Sequence, residues 1–234
     1  MTFDTDPSDA IKDQLLDAIL PHVPFDGWSE TSFQAALADS DVDATVARAT
    51  CPRGAVDLAV AFHERGDRLM VARLKSEDLS AMRFRDRVAA AVRFRLEAAE
   101  DKDAVRRGAT LFALPMYAAD GAKLIWGTAD LIWDTLGDSS DDLNWYTKRA
   151  TLSGVYSSTV LYWLGDESPE NQRTWRFLDR RIDDVMQIEK LKSQVEANPI
   201  LKPLASASNW AFSWVKPPNK MRPMDFPGSF GRQR

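Results

Sequence analysis

Between roughly residue 8 and residue 190 the apolar residues return every three or four positions, and they almost never alternate with polar ones. A period near 3.6 marks an amphipathic helix, whereas a half-buried strand needs a period of two. Alternating β-branched segments are missing, and most of the glycine and proline punctuation falls between the periodic stretches. The chain is therefore expected to be all-α. Its 234 residues, 44% of them hydrophobic, suffice for one globular domain with an extra arm.

The first 75 residues read as several short helices and a longer one. SDAIKDQLLDAILPHV starts at a Ser or Asp cap and sets Ile11, Leu15, Leu16 and Ile19 on one face. FDGW reads as a turn, and SETSFQAALADS and DVDATVARAT as short helices. CPRGAVDLAVAFHERGDRLMVARL reads as a longer helix with Pro52 near its first turn. Three short helices followed by a longer one form a helix-turn-helix layout. Longer helices follow. Val88, Val92 and Leu96 make one stripe, and DAVRRGATLFALP ends at Pro115. Ile125, Ala129, Ile132 and Leu136 share a face, with Trp126 and Trp133 beside it. Two more helices are predicted over about 141–164 and 168–189, the second capped by Ser168 with Pro169 in its first turn. Beyond residue 190, Pro199 and Pro203 interrupt any long helix. LASASNWAFSWV then forms about three turns, and 216–234, with Pro217, Pro218, Pro223 and Pro227, reads as an extended tail.

Several functions fit this chain poorly. Net charge is −5 and the isoelectric point about 5.2, which opposes broad nucleic-acid binding. Between Asp26 and Gly54, Asp26, Glu30, Asp39, Asp41 and Asp43 face only Arg48 and Arg53, where a DNA reader needs positive charge. One cysteine excludes an intrachain disulfide framework, and with two histidines it argues against a conventional zinc site. Cys51, before a proline, reads as packed, and His22 and His63 as capping or surface residues. Asp130 and Asp134, four apart, have a spacing that a metal site can use, but the Glu-x-x-His partners of a di-iron bundle are missing. DRRIDD, 179–184, reads as a solvated or interface charge face. No catalytic set, metal or cofactor is expected. The acidic N-terminal stretch has neither the basic nor the apolar region of a signal peptide. No apolar run approaches the ~18 residues of a membrane span, so any membrane contact is expected to be peripheral.

What stands out is aromatic surface. LNWYTKRATLSGVYSSTVLYWLGD, residues 143–166, holds two Trp and three Tyr. On a helix, Leu152, Tyr156, Thr159 and Trp163 form one stripe, which Trp145, Tyr146, Val155 and Tyr162 widen. So apolar a helix must be covered by other helices, a partner or a ligand. Ordinary core or homodimer packing is one reading; a partner surface, which Trp and Tyr suit, is the other. The C-terminal arm adds Leu204, Trp210, Phe212 and Trp214 at an interfacial helix length. Lys216, Lys220, Arg222, Arg232 and Arg234 against Asp225 give the tail +4, which suits an anionic membrane surface.

DLNWYTKRATLSGVYSSTVLYWLGDESPENQRTWRFLDRRIDDVM closely resembles the signature region of the ubiquinone-biosynthesis accessory proteins, the ninth Coq protein and its bacterial relatives. DGW at 26–28 and PRGAVDLAVAFH at 52–63 are similar to that family's N-terminal signatures. The resemblance implies a fold like that of TetR-type regulators: a degenerate helix-turn-helix over 1–75, a helical lipid-binding and dimerisation region over 76–190, and an arm over 191–234. It implies a homodimer that binds an isoprenoid quinone lipid and assists a ubiquinone-pathway hydroxylase. The expected lipid-lining residues are Leu111, Leu114, Ile125, Trp126, Ile132 and Trp133. The expected docking patch is Asn144, Trp145, Tyr146 and Arg149. Leu204, Trp210, Phe212 and Trp214 would meet the membrane. Without an organellar presequence, the expected location is cytoplasmic, peripheral on a bacterial inner membrane. A TetR-type repressor sensing a hydrophobic effector is the main alternative, and a dimeric scaffold without a lipid cavity a second.

Overall fold

A computed structural model describes residues 7–99, 101–138 and 143–197, with side chains for 8–99, 101–138 and 145–185. Those residues form helices and turns without a strand, as the 3.6-residue period requires. The N-terminal part comprises α1 (Pro7–Ile19), α2 (Val23–Asp26), α3 (Glu30–Asp39), α4 (Ala44–Thr50) and the first half of α5 (Ala55–Ser76). The stripe on α1 buries Leu15, Leu16 and Ile19 completely against Phe33 and Ala36 of α3, Ala47 of α4 and Leu58 of α5. Each such Leu, Ile or Phe contributes about 1.5–3 kcal/mol relative to an exposed side chain. Ile11, on the same stripe, is only partly buried.

Capping residues set the helix starts. Ser29 and Ser32 exchange bonds, each hydroxyl accepting from the other's N–H, at 3.3 and 3.0 Å. The Asp43 carboxylate accepts from the N–H groups of Thr45 and Val46, and that of Asp101 from Asp103 and Ala104. Two sequence expectations need correction. FDGW is more than a turn: Val23–Asp26 is a helical turn ended by Gly27 at φ +68°, and Trp28 is core, its Nε1–H donating to the Ala104 carbonyl at 3.1 Å. Pro52 is not in the first turn of the long helix. The chain turns over Cys51–Gly54, with the Gly54 N–H donating to the Cys51 carbonyl at 2.9 Å, and α5 starts only after Gly54 at φ +59°, a conformation that favours glycine.

The rest comprises α6 (Phe84–Glu97), α7 (Lys102–Phe112), α8 (Ala118–Thr135), α9 (Leu143–Leu164), a 3₁₀ turn (Pro169–Asn171) and α10 (Gln172–Ala197). The predicted stripes point inward. Val88, Val92 and Leu96, then Ala129 and Ile132, then Leu152, Tyr156, Thr159 and Trp163 are all buried. They pack with Met70 and Leu74 from the second half of α5, and with Leu178 and Ile182 of α10. Helix α5 therefore runs through both clusters. Among the described residues no helix is long and apolar enough to cross a membrane. Leu204, Trp210, Phe212 and Trp214 lie outside the described residues.

At the start of α10 the Ser168 hydroxyl caps as expected, accepting from the Arg173 N–H at 3.1 Å, and the Asp166 carboxylate caps beside it. That carboxylate accepts from the Thr174 N–H at 2.8 Å, the Thr174 hydroxyl at 2.6 Å and the Ser168 N–H at 2.9 Å. Burial opposes the charge on Asp166, but these bonds outweigh it and hold the carboxyl well below its ordinary 3.8. A carboxyl depressed in the folded state stabilises the fold above its unfolded pKa, and the gain is lost as pH falls through the folded value. Asp166→Ala is expected to cost about 1–2 kcal/mol in urea unfolding at pH 7. The gap to wild type should begin to narrow below about pH 4. A gap that stays constant down to pH 2 would remove this carboxylate as a cap.

Candidate functional site

Where α7 meets α8 the facing residues are small: Gly108 and Ala109 on one helix, Gly121 and Ala122 on the other. The helices come close at Gly121, where a Cβ would lie 2.8 Å from the Phe112 Cβ. Elsewhere the missing side chains leave a cavity of about 440 Å³, a size that suits a small ligand. Ala59, Phe62 and His63 of α5, Arg95 and Leu96 of α6, and Tyr156, Val160 and Trp163 of α9 complete its walls. Most of the lining is apolar. Ala109, Ala113, Ala118, Ala122 and Leu161 line it and are also exposed, so they form its rim.

One wall is polar and deeply set. Arg95 and Asp67 are each 5% exposed and paired, with Arg95 Nε donating to Asp67 Oδ1 at 2.5 Å. Thr128 Oγ1 donates to the same carboxylate at 2.9 Å, and His63 Nε2 lies 2.8 Å from that hydroxyl. Arg95 Nη2 donates to the His63 carbonyl at 2.9 Å. Burial, with the Arg95 charge beside it, pushes His63 down to about 3, so the imidazole is neutral at any physiological pH. His63 is thus neither a capping nor a surface residue, contrary to the sequence reading. Burial raises the Asp67 carboxyl against the pull of Arg95 and Thr128. The Tyr156 ring stands edge-on to His63, with centroids 6.4 Å apart.

A second constellation joins α8 to α9. Gly137, at φ +83°, ends α8, and the Asp138 N–H donates back to the Trp133 carbonyl at 2.9 Å. Asp138 thereby joins Asp130 and Asp134 around one cation, the fully buried Arg149. Its guanidinium donates to Asp134 and Asp138 at 3.1 Å each and to Asp130. The spacing that suggested metal ligands thus serves an arginine; among the described residues no metal-ligand cluster forms. Arg149 also lies 4.0 Å from the centroid of Trp145, which meets Tyr146 at 4.8 Å and Trp126 at 6.0 Å. Trp145 and Tyr146 are half-buried.

Other candidates have little reactivity. Burial, helped by the Asp57 charge, pushes the Cys51 thiol up to about 11. In the helix-turn-helix stretch, Arg48 is paired with Glu30 at 2.5 Å, and Arg53 with Asp57 at 2.8 Å and Asp120 at 2.9 Å.

A family model described as COQ9 matches residues 118–189. The Drosophila melanogaster protein named Ubiquinone biosynthesis protein COQ9, mitochondrial, is 32% identical over 193 residues, 80% of this chain and 59% of that one. The Xenopus laevis COQ9-B protein is 29% identical over 203 residues, 82% of this chain and 68% of that one. The chain belongs to the COQ9 family. Its match to the Rattus norvegicus COQ9 protein is 40% identical over 91 residues, 39% of this chain and 29% of that one, so the aligned part is well short of the full length of these relatives. A crystal structure of a TetR transcriptional regulator from Nitrosomonas europaea ATCC 19718 superposes with a TM-score of 0.62, covering 74% of this chain and 97% of that one. At 17% identity it shows the fold, which is TetR-like as the COQ9 resemblance implied.

The region matched by the COQ9 model contains the Arg149 constellation, the aromatic cluster and two walls of the cavity. The expected lining residues are dispersed. Ile125 lines the cavity. Leu111 packs on the N-terminal cluster, Leu114 is 45% exposed, and Ile132 is in solid core. Trp126 joins the aromatic cluster, and Trp133 stacks on Phe84 at 5.6 Å. Of the expected docking residues, Trp145 and Tyr146 sit together, the side chain of Asn144 lies outside the described ones, and Arg149 is buried rather than at the surface. Arg149 is drawn in because three carboxylates offer it more than water does. The candidate-site residues that the sequence did not single out are His63 and Arg95, which line the cavity, and Asp67 and Thr128 behind them. The alanine–glycine spacing across 108–122 was the available signal for the cavity.

Proposed function

We propose that this chain serves ubiquinone biosynthesis as a non-enzymatic lipid-binding protein that takes up a polyprenyl quinone precursor and presents it to a hydroxylase at the membrane. The observation that carries the reading is the 440 Å³ cavity, apolar over most of its lining. Such a lipid is insoluble because each buried CH₂ is worth ~0.8 kcal/mol, and a helical cavity offers that burial outside the bilayer. The names of the COQ9 relatives support the pathway. In this reading the Trp126–Trp145–Tyr146 cluster, half-buried and aromatic, docks the hydroxylase. The protein acts as a homodimer, peripheral on a membrane that it approaches with residues 203–215. The role needs no nucleophile and no proton transfer. The TetR-like fold alone also suits a repressor sensing a hydrophobic effector, but the acidic surface between Asp26 and Gly54, with both its arginines held by carboxylates, opposes binding to phosphates.

Native mass spectrometry of the purified full chain tests the reading. A quinone-type isoprenoid is expected to co-purify. Ala109→Trp, at the cavity rim, should abolish its retention with unchanged helix content. A protein that always emerges empty, and that releases no bound hydrophobic dye when a quinone is added, would refute lipid binding.

A further inference from the structure

We infer that the turn from α7 into α8, residues 113–119, is a bilayer-docking surface that sets the mouth of the cavity against an anionic leaflet, so that a lipid enters without crossing water. This surface is additional to residues 203–215, and it rests on the lipid-binding reading above for its purpose.

Residues 108–119, GATLFALPMYAA, carry no charge over twelve positions. The large side chains at the turn point outward. Leu114 is 45% exposed and Met116 73%, with Ala113, Pro115 and Ala119 exposed beside them. Backbone bonds fix this turn. The Leu114 N–H donates to the Leu111 carbonyl at 3.1 Å, and the Tyr117 N–H to the Leu114 carbonyl at 2.9 Å. Pro115 between them restricts φ, and Gly121 lets Phe112 pack directly on α8 behind the turn. Two large apolar side chains are therefore held in water by a fixed frame, which is unfavourable unless something covers them.

Position says what covers them. Ala113 and Ala118, which bracket Leu114 and Met116, also line the cavity. Leu161 of α9, 67% exposed, completes the same rim. The apolar turn and the cavity mouth form one continuous surface. A protein seated here would plug the mouth. A bilayer covers the turn and leaves the mouth open to acyl chains. Charge agrees. Between Lys102 and Lys123 four basic residues stand against two acidic ones, in a chain of net charge −5. Both acids are taken, Asp103 by Arg106 and Asp120 by Arg53. Arg107 bonds the backbone carbonyls of Pro24 and Phe25, and Lys123 is exposed; among the described residues neither meets a carboxylate. Two uncompensated cations beside an exposed apolar turn suit anionic head groups.

The test is Met116→Cys in the full chain, labelled with an environment-sensitive fluorophore. Cys51 is buried, its thiol pushed up to about 11, and stays unlabelled. Met82→Cys is the control, 40% exposed at the other end of α8, where the neighbouring Phe84 stacks on Trp133. On vesicles rich in phosphatidylglycerol the fluorophore at 116 should shift to the blue and be quenched by a nitroxide in the acyl chain, while the one at 82 should not. Leu114→Glu with Met116→Glu should weaken vesicle binding about 10-fold, with the urea midpoint unchanged because neither side chain is in the core. Vesicles of phosphatidylcholine alone should bind more weakly. A fluorophore at 116 that stays in water on vesicle-bound protein, or equal quenching at 82 and 116, would overturn the surface. So would a signal at 116 already shifted without vesicles, as a second copy or another protein would cause. Equal binding to both vesicle types would overturn the anionic leaflet. A protein that is empty in mass spectrometry while its fluorophore at 116 enters vesicles would refute lipid uptake and keep the docking surface; a lipid-loaded protein whose fluorophore stays in water would do the reverse.

Discussion

Replacing Arg149 by Met is expected to lower the unfolding free energy by about 3 kcal/mol, among the larger losses available to a single substitution in this protein. The side chain is 1% exposed and surrounded by Asp130, Asp134 and Asp138. Removing the cation leaves three carboxylates facing one another. Asp138, 4% exposed, cannot regain water, though Lys148 at 2.8 Å still pairs with it. Asp130 and Asp134, at 36% and 30%, are partly rescued by solvent, which keeps the cost near the lower end of the range for a broken buried pair. Arg149→Lys should lose about half as much, because an ammonium keeps the charge but not the planar fork that reaches several carboxylates. Adding Asp138→Asn to Arg149→Met should recover part of the loss, since the two sites share one network. Chemical denaturation of the four proteins decides it. If Arg149→Met is as stable as wild type, the constellation adds nothing to the stability of the fold. Trp145 also loses the cation 4.0 Å from its ring, so its fluorescence should change even in the folded variant.

Much of the fold was legible because it depends on periodicity. The stripe Leu152, Tyr156, Thr159, Trp163 was visible as a stripe and is buried as one. What periodicity cannot distinguish is a buried face that meets atoms from one that meets a void. Ile132 and Ile125 lie on the same face of α8, yet one is in solid core and the other lines the cavity. The difference comes from α7, where Gly108 and Ala109 withdraw from Ile125, and no pattern within α8 records that. Large apolar residues were therefore nominated as lining where small ones create the space. Charged residues failed for a different reason. Arg95 sits in an arginine-rich run, RFRDRVAAAVRFR, in which Arg93 is exposed and Arg95 buried. Only the arrival of Asp67 from α5 separates them. Likewise Arg149 and the three aspartates were each noticed or in plain view, but their convergence depends on the Gly137 turn that aims Asp138 back along α8.

The buried pair behind the cavity gives the second large expectation. Arg95→Met should cost about 3–5 kcal/mol at pH 8, because it leaves the Asp67 carboxylate, 5% exposed, with the Thr128 hydroxyl and, at 3.7 Å, a neutral His63 imidazole. The cost should depend on pH in a defined direction. Burial already raises Asp67 above its ordinary value in the wild type, and Arg95 is the main force opposing that rise. Without Arg95 the folded carboxyl rises further above its unfolded value. A group raised in this way stabilises the fold below its unfolded pKa and loses that contribution as pH climbs through the folded one. Arg95→Met should therefore approach wild-type stability as pH falls toward 4 and separate from it toward pH 8. Asp67→Leu combined with Arg95→Met should regain most of the stability at every pH, since removing both members of a buried pair leaves no uncompensated charge. Urea unfolding of the three proteins at pH 5 and pH 8 separates this from a packing defect. A loss of equal size at both pH values, not relieved in the double variant, would mean that Arg95 matters for its bulk against Gly66 and Tyr156 and not for its charge. The same double variant bears on the cavity, because it keeps the fold while removing the Arg95 guanidinium from the polar wall. If stability returns and quinone affinity does not, the ion pair is retained for what it presents to the cavity and not for what it adds to the fold.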